Sequence, residues 1–460
     1  MLPDNVLLEI FDHYRFFHDP SLALVWQWHL LAQVCRRWQQ IIYGSPRRLD
    51  VRILCVNKTP VREKLSIWPH LPIALDYSFF GRPTRLEYEN VIAALEHPDR
   101  ICYVRFYGHH SPLEKVATMM QKSFPALKSL TLHAVSFDGI ASLSADFLGG
   151  SAPSLREISL TFISFPALPT LLSSTSDLVR LNLCRLPTTG YISPEAMVTC
   201  LAALPRLKTF SLQFGSTTSL PSEINPPPTT RSVLPALTDF NFEGSSQYLE
   251  AIVVRIDGPQ LSRIVLHYHD QVDDPQAVQL SKFIDRSGGP KPILSMNARL
   301  TIFSYKVTFS LYSRLSSESG PARTVIFYEQ IRWHINRVVQ ILGQISSASN
   351  VVHLKIELGE DHQLGDARDI GWHLLLQTFS TIRTLRVSWN LALRVAFELE
   401  VIAGCMLAGT LPPFDLIYFE HQPTPSIPKF VAARQLSGRP VTIVDTEAEF
   451  DERLKSYVSK

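Results

Sequence analysis

Apolar residues recur along this chain in two rhythms, one helical and one alternating. The helical rhythm fills the first fifty residues. Val6, Leu7, Ile10, Phe11 and Tyr14 share one stripe of a helix opened by Pro3, a residue tolerated in a first turn. Leu31, Val34, Cys35, Trp38 and Ile42 make the stripe of another. Asp19-Pro20 is a further helix start, and Ser45-Pro46 closes the unit, because proline pushes the residue before it out of the helical region. Two or three short helices are expected, with more apolar face than they can hide. A segment of this size buries only ~60% of its chain surface. Either that face packs on the rest of the chain, or it docks a partner.

The alternating rhythm is a phrase: apolar, two of any kind, apolar, one of any kind, apolar. It appears as Ile101/Val104/Phe106, Leu127/Leu130/Leu132, Leu155/Ile158/Leu160, Leu178/Leu181/Leu183, Leu207/Phe210/Leu212, Leu237/Phe240/Phe242 and Leu261/Ile264/Leu266, at steps of 23 to 30 residues. It resumes as Val351/Leu354/Ile356, Ile382/Leu385/Val387 and Phe414/Ile417/Phe419, at steps of 31 and 32. The ending has the period of a strand with one buried face. Pro125, Pro153, Pro205 and Pro235 stand two residues ahead of the first leucine and set the turn into that strand. Helical or loop stretches lie between phrases; Ser193-Pro194-Glu195 is a helix start.

Residues 267–350 break the rhythm. Leu300–Leu311 and Thr324–Glu329 are expected as strands and Gln330–Ile345 as an amphipathic helix, all within the same array. Arg52–Cys55 and Pro72–Tyr77 are expected as opening strands. Pro428–Gly438 is expected as a closing helix, with a strand at Val441–Val444. Gly215–Arg231, with Pro226-Pro227-Pro228, is expected as a protruding loop, and Gly149-Gly150-Ser151 as a turn.

Both regions resemble known families. Leu2-Pro3, then Leu7-Leu8-Glu9-Ile10-Phe11, then Val34-Cys35-Arg36-Arg37-Trp38, then Ser45-Pro46, resembles the F-box motif. That resemblance implies a helical module docking a Skp-type adaptor, and through it a cullin. The implied adaptor-binding residues are Leu2, Pro3, Val6, Leu7, Ile10, Phe11, Leu31, Val34, Cys35 and Trp38; Ile42 also matches the motif. The insert Asp12–Gln27 is longer than in a typical F-box. The repeated phrase resembles the leucine-rich repeat, whose units bury their apolar faces by stacking. The asparagine usual at the strand exit is missing: Val135, Ile163, Leu186, Gly215, Ser245 and His269 stand there, so an irregular arc is expected. Phe147–Pro153, Tyr191–Met197 and Phe430–Gly438 resemble fungal F-box proteins as a group. The expected fold class is therefore α/β: a small N-terminal helical F-box (1–50) followed by an irregular leucine-rich-repeat-like solenoid (51–460).

Composition narrows this little. With 460 residues, two or more units are expected. Hydrophobic content of 45% and charged content of 19% are those of a folded protein. A net charge of +2 supplies no bulk attraction to nucleic acid or membrane, and neither is expected as a partner. The apolar run Leu391–Leu411 holds Arg394, Glu398 and Glu400 and does not read as a membrane span. The start does not read as a secretory signal. Six scattered cysteines (35, 55, 102, 184, 200 and 405) suit reduced thiols, so a cytoplasmic or nuclear location is expected.

Motifs of catalysis are missing: no G-x-S-x-G elbow, no phosphate-binding loop, no dinucleotide fingerprint. No cofactor or metal is expected. His267 and His269 could share a strand face beside Asp270, but a solvated strand edge is the commoner outcome. What the repeat offers is a surface. Outward positions expected to meet a target protein include Tyr103, Arg105, Tyr107, His133, Glu157, Arg180, Gln213, Asp239, Arg263 and His267. The expected function is a non-catalytic, target-recognising subunit of a Skp–cullin–F-box ubiquitin ligase. The alternatives are a repeat scaffold unconnected to ubiquitin and, third, a metal-dependent enzyme using the paired histidines.

Overall fold

The computed structural model describes residues 2–16, 28–45, 49, 51–56, 61–68, 70–79, 84–135, 139–215, 230–268, 278–287, 296–303, 306–312, 323–328, 341–345, 350–359, 372–404, 412–420 and 424–450. The fold is mixed α/β, its strands mostly parallel. The chain forms two compact units, Met1–Ser216 and Thr217–Lys460.

The first unit begins with three helices, α1 (Asp4–Phe16), α2 (Trp28–Val34) and α3 (Arg36–Gly44). Pro3 precedes α1 and accepts the Leu7 N–H on its carbonyl. The Asp19-Pro20 helix start lies outside the described residues. α3 ends where Ser45-Pro46 predicts, with the Ser45 N–H donating to the Ile42 carbonyl.

The strands follow: β1 (Ile53–Val56), β2 (Ile73–Phe79), β3 (Ile101–His109), β4 (Ser129–Val135), the short β5 (Ala141–Ser142), β6 (Glu157–Thr161), the short β7 (Ile163–Ser164), β8 (Arg180–Leu186) and β9 (Thr209–Phe214). β1, β2, β3, β4, β6, β8 and β9 lie side by side in chain order, every pairing parallel. β5 and β7 pair separately. Parallel neighbours need a crossover, which the intervening helices and loops supply. The expected opening strands are β1 and β2.

In the second unit, β10 (Ser232–Val233) pairs with β12 (Ile256–Asp257), apart from the other described strands. β11 (Asp239–Gly244), β13 (Arg263–Tyr268), β14 (Met296–Ile302), β15 (Lys306–Tyr312), β16 (Arg323–Tyr328), β17 (Val351–Leu358), β18 (Thr384–Val387), β19 (Leu416–Phe419) and β20 (Thr442–Val444) form a sheet. Its order is β11-β13-β16-β15-β14-β17-β18-β19-β20. Residues 267–350 thus depart from a simple succession of repeats. β14, β15 and β16 run back along the sheet, and β15 is antiparallel to both neighbours. The reversal is a short connection in which the Phe303 N–H donates to the Lys306 carbonyl at 2.8 Å. β14 then pairs parallel with β17, and the succession resumes. Most of Gln330–Ile345 and of Gly215–Arg231 lies outside the described residues. The closing helix and strand stand as expected, at Pro428–Leu436 and Thr442–Val444.

The repeated phrase forms the core. Every residue of it is buried, the most exposed being Leu132 at 3%. Each such burial contributes about 1.5–3 kcal/mol. The prolines act as the sequence suggests. The N–H groups of Leu127, Leu155, Leu207 and Leu237 donate to the carbonyls of Phe124, Ala152, Leu204 and Leu234, three residues back. Proline therefore occupies the second position of a β-turn, where its fixed φ is favoured. Pro259 does the same ahead of Leu261, whose N–H donates to the Gly258 carbonyl.

Candidate docking faces

The head is held together by a few specific contacts. Phe11 is fully buried and its ring meets Trp38 edge-on. Leu7, Ile41 and Ile42 are buried with it. Arg37 donates to both the Asp4 carboxylate (2.6 Å) and the Leu2 carbonyl (2.5 Å), tying the start of α1 to α3. The Cys35 thiol caps α3 by accepting the Trp38 N–H at 3.5 Å.

These contacts divide the expected adaptor-binding residues. Leu2, Pro3, Val6, Ile10, Val34 and Cys35 are exposed, and Leu31 and Trp38 are half-buried. Leu7 and Phe11 are buried, so neither is open to a partner in this structure. Both belong to the stripe that helical spacing picks out. Periodicity marks an apolar side without saying which of its edges the bundle consumes. Leu30, which lies off the expected stripe, is exposed one turn before Val34. The result is two apolar rows open to solvent: Val6 and Ile10 on α1, and Leu30 and Val34 on α2. Ile10 is 44% exposed and Val34 59%.

The strand registers bring most of the expected target-facing residues into rows. Tyr103, Ser129, Glu157, Arg180 and Thr209 align across β3, β4, β6, β8 and β9. One step along, Asp76, Arg105, Thr131, Ser159, Asn182 and Ser211 align. A third row runs through Ser78, Tyr107, His133, Thr161 and Cys184. In-register neighbours interact. Arg105 clasps the Asp76 carboxylate with two bonds, at 2.6 and 2.8 Å. Arg180 donates to Glu157 at 3.0 Å, and the Tyr107 and His133 rings stack at 4.1 Å. Burial pushes the Tyr103 hydroxyl up. Gln213 lies on β9 beyond a register shift and is half-buried, while Ser211 is only 6% exposed.

In the second unit Asp239 aligns with Arg263, and Glu243 with His267. The His267 ring is 3.5 Å from the Glu243 carboxylate, and His269 and Asp270 lie outside the described residues. Further along the same sheet, Arg386 pairs with Glu420 and Glu447, and Lys355 with Glu357 and Glu420. Burial pushes the Glu357 carboxyl up, but Lys355, Thr301 and Arg299 together outweigh it and hold the group below its ordinary range. Glutamates and cations alternate here and compensate one another.

Two residues at strand ends escape sequence reasoning. Phe162 and Arg185 both take a positive φ, +54° and +50°, although neither is glycine or asparagine. The Arg185 guanidinium lies over the Phe162 ring, 5.1 Å from its centroid. No turn residue announces either kink.

Two cysteines are poor nucleophiles. Burial pushes the Cys55 thiol up to about 12 and raises Cys200 as well, so neither is a thiolate at neutral pH. Among the described residues no group of three His, Cys, Asp or Glu side chains is placed to hold a metal ion, and no helix is long and apolar enough to cross a membrane. No model of a known protein family matches this chain, and no curated protein matches its sequence.

Proposed function

We propose that this chain is a target-recognising, non-catalytic subunit of a Skp–cullin–F-box ubiquitin ligase. The N-terminal head docks a Skp-type adaptor, and the outward strand faces hold an unidentified target protein. The observation that carries the reading is the division of the head's stripe. Phe11 and Leu7 close the bundle, while Val6, Ile10, Leu30 and Val34 stay in water. Rows of exposed apolar residues on so small a unit fit a partner's groove better than solvent. The order and spacing of Leu2-Pro3 through Ser45-Pro46, which resemble the F-box, support the same partner. The chemistry is proximity: tethering raises the effective concentration of target lysines near the ligase, with no covalent step in this chain.

The test is co-expression of the full chain with a Skp-type adaptor. Wild type is expected to co-purify with it, and a Leu2→Ala/Pro3→Ala double variant to lose it while keeping its circular dichroism. Equal recovery of adaptor by both would overturn the reading.

A second reading, a repeat scaffold unconnected to ubiquitin, draws on a different observation. The helix Trp389–Gly404 leaves Trp389, Leu393 and Phe397 exposed at four-residue spacing, so the head does not hold all of the chain's open apolar surface. Failure of wild type to capture the adaptor would favour this reading.

A further inference from the structure

Three arginines stand within the strands of the first unit's sheet, and one of them is unlike the others. Arg105 is clasped by Asp76 and Arg180 by Glu157. Arg185 is exposed and pairs with no carboxylate among the described residues; it rests on the Phe162 ring. An aromatic face beneath a guanidinium fixes its plane and leaves its N–H edge for another acceptor.

The backbone is built to hold it there. The left-handed conformation is one that residues bearing a Cβ seldom adopt, and Phe162, just past the end of β6, and Arg185, in the neighbouring β8, both adopt it. The Phe162 N–H donates to the Cys184 carbonyl at 3.1 Å, which locks one kink to the other. The pairing of β8 with β9 shifts register between Leu183 and Leu186, so Arg185 sits in a bulge, a device that re-aims a side chain. Gly215 lets the next strand pass: a Cβ there would stand 3.2 Å from the Arg185 carbonyl oxygen. Left-handed conformations of this kind persist where the surroundings over-determine them, and they gather at ligand clamps.

We infer that Arg185, seated on Phe162 and close enough to His133 for its charge to act on that ring, is an anion subsite of the target face and takes an Asp or Glu side chain of the bound protein. This rests on the target-recognition reading above. A guanidinium binds a carboxylate through two parallel bonds, and the Phe162 ring beneath it covers the apolar atoms that flank it. Burial and the Arg185 charge hold His133 below its ordinary range, so it is neutral at pH 7. The site therefore offers one positive charge, which suits a carboxylate better than a doubly charged phosphate.

The experiment pans a library of random dodecapeptides against the intact, full-length chain. Wild type is expected to enrich peptides with Asp or Glu at a fixed position. The best of them should lose at least tenfold in affinity to Arg185→Gln and less to Arg185→Lys. Arg206→Gln, which removes an arginine already paired with Asp177 and outside the rows of the target face, should leave affinity unchanged. Matching circular dichroism and melting show that each variant is folded. The inference is overturned if wild type enriches no acidic position, if Arg185→Gln binds as wild type does, or if replacing the acidic residue by phosphoserine tightens binding tenfold. Adaptor capture by the same Arg185→Gln protein should persist. Loss of adaptor capture in wild type with acidic-peptide binding intact condemns the ligase reading alone; the reverse condemns this site alone.

Discussion

The Trp38 ring stands edge-on to Phe11, 4.9 Å between centroids, at an interplanar angle of 65°. This contact joins α3 to α1 and decides which side of the α1 stripe is spent on the head. Phe11→Ala removes the buried ring and leaves a cavity, at a cost of about 3–5 kcal/mol. That is a large share of what a bundle of this size commands. Ile10→Ala takes away an exposed side chain and should change stability by less than about 0.5 kcal/mol. Hydrogen exchange followed by mass spectrometry separates them. In Phe11→Ala the amides of α1 and α3 should lose protection while those of β3 and β4 keep it, and in Ile10→Ala all should keep it. Equal protection in both variants would show that Phe11 is not the keystone.

His353 makes the second unit sensitive to acid. It is buried on β17 and its Nδ1 sits 2.7 Å from the Thr384 hydroxyl. Burial pushes the imidazole down to about 4, against 6.5 in an unfolded chain. Between those values the unfolded chain binds a proton that the folded one refuses, so stability falls as pH drops from about 6.5 to 4. The loss from this group is on the order of 3 kcal/mol. Urea denaturation at several pH values should show a shallower acid slope for His353→Gln than for wild type. Parallel slopes would count against the buried neutral ring.

The turn at Gly149-Gly150 tests packing against conformation. Both residues are left-handed, with φ of +63° and +70°. A Cβ on Gly149 would meet the Ser123 backbone nitrogen at 3.0 Å, whereas one on Gly150 meets nothing within 4 Å. Gly150→Ala should cost about 1 kcal/mol for its conformation alone. Gly149→Ala should cost more, by roughly 1–3 kcal/mol for the enforced shift of the neighbouring backbone. Thermal melts of the two variants check the order, and a reversed order would contradict the geometry.

Much of the strand core was legible because alternation reports burial directly. A leucine two places from the next, such as Leu181 and Leu183, can share a face only in a strand, and both are fully buried. The rows through Tyr103, Arg105 and Tyr107 follow from the same period. Less legible was what depends on partners in space. β15 reads as an ordinary alternating strand, and nothing in Val307, Phe309 and Leu311 states that it runs backwards. The inward position of Phe11 depends on Trp38 of α3, which helical spacing within α1 does not see. Phe162 and Arg185 carry no residue-type signal for positive φ; the Phe162 N–H bond to the Cys184 carbonyl joins the two kinks, and Gly215 makes room beside Arg185.

Val6, Ile10, Leu30 and Val34 make up the proposed docking face for a Skp-type adaptor. Its most direct test is the exchange footprint of the full chain as purified adaptor is titrated in. Slowed exchange is expected in α1 and α2 alone, and Ile10→Asp should abolish it. Saturating adaptor without any change in those helices, or protection appearing along Trp389–Val401 in their place, would contradict it.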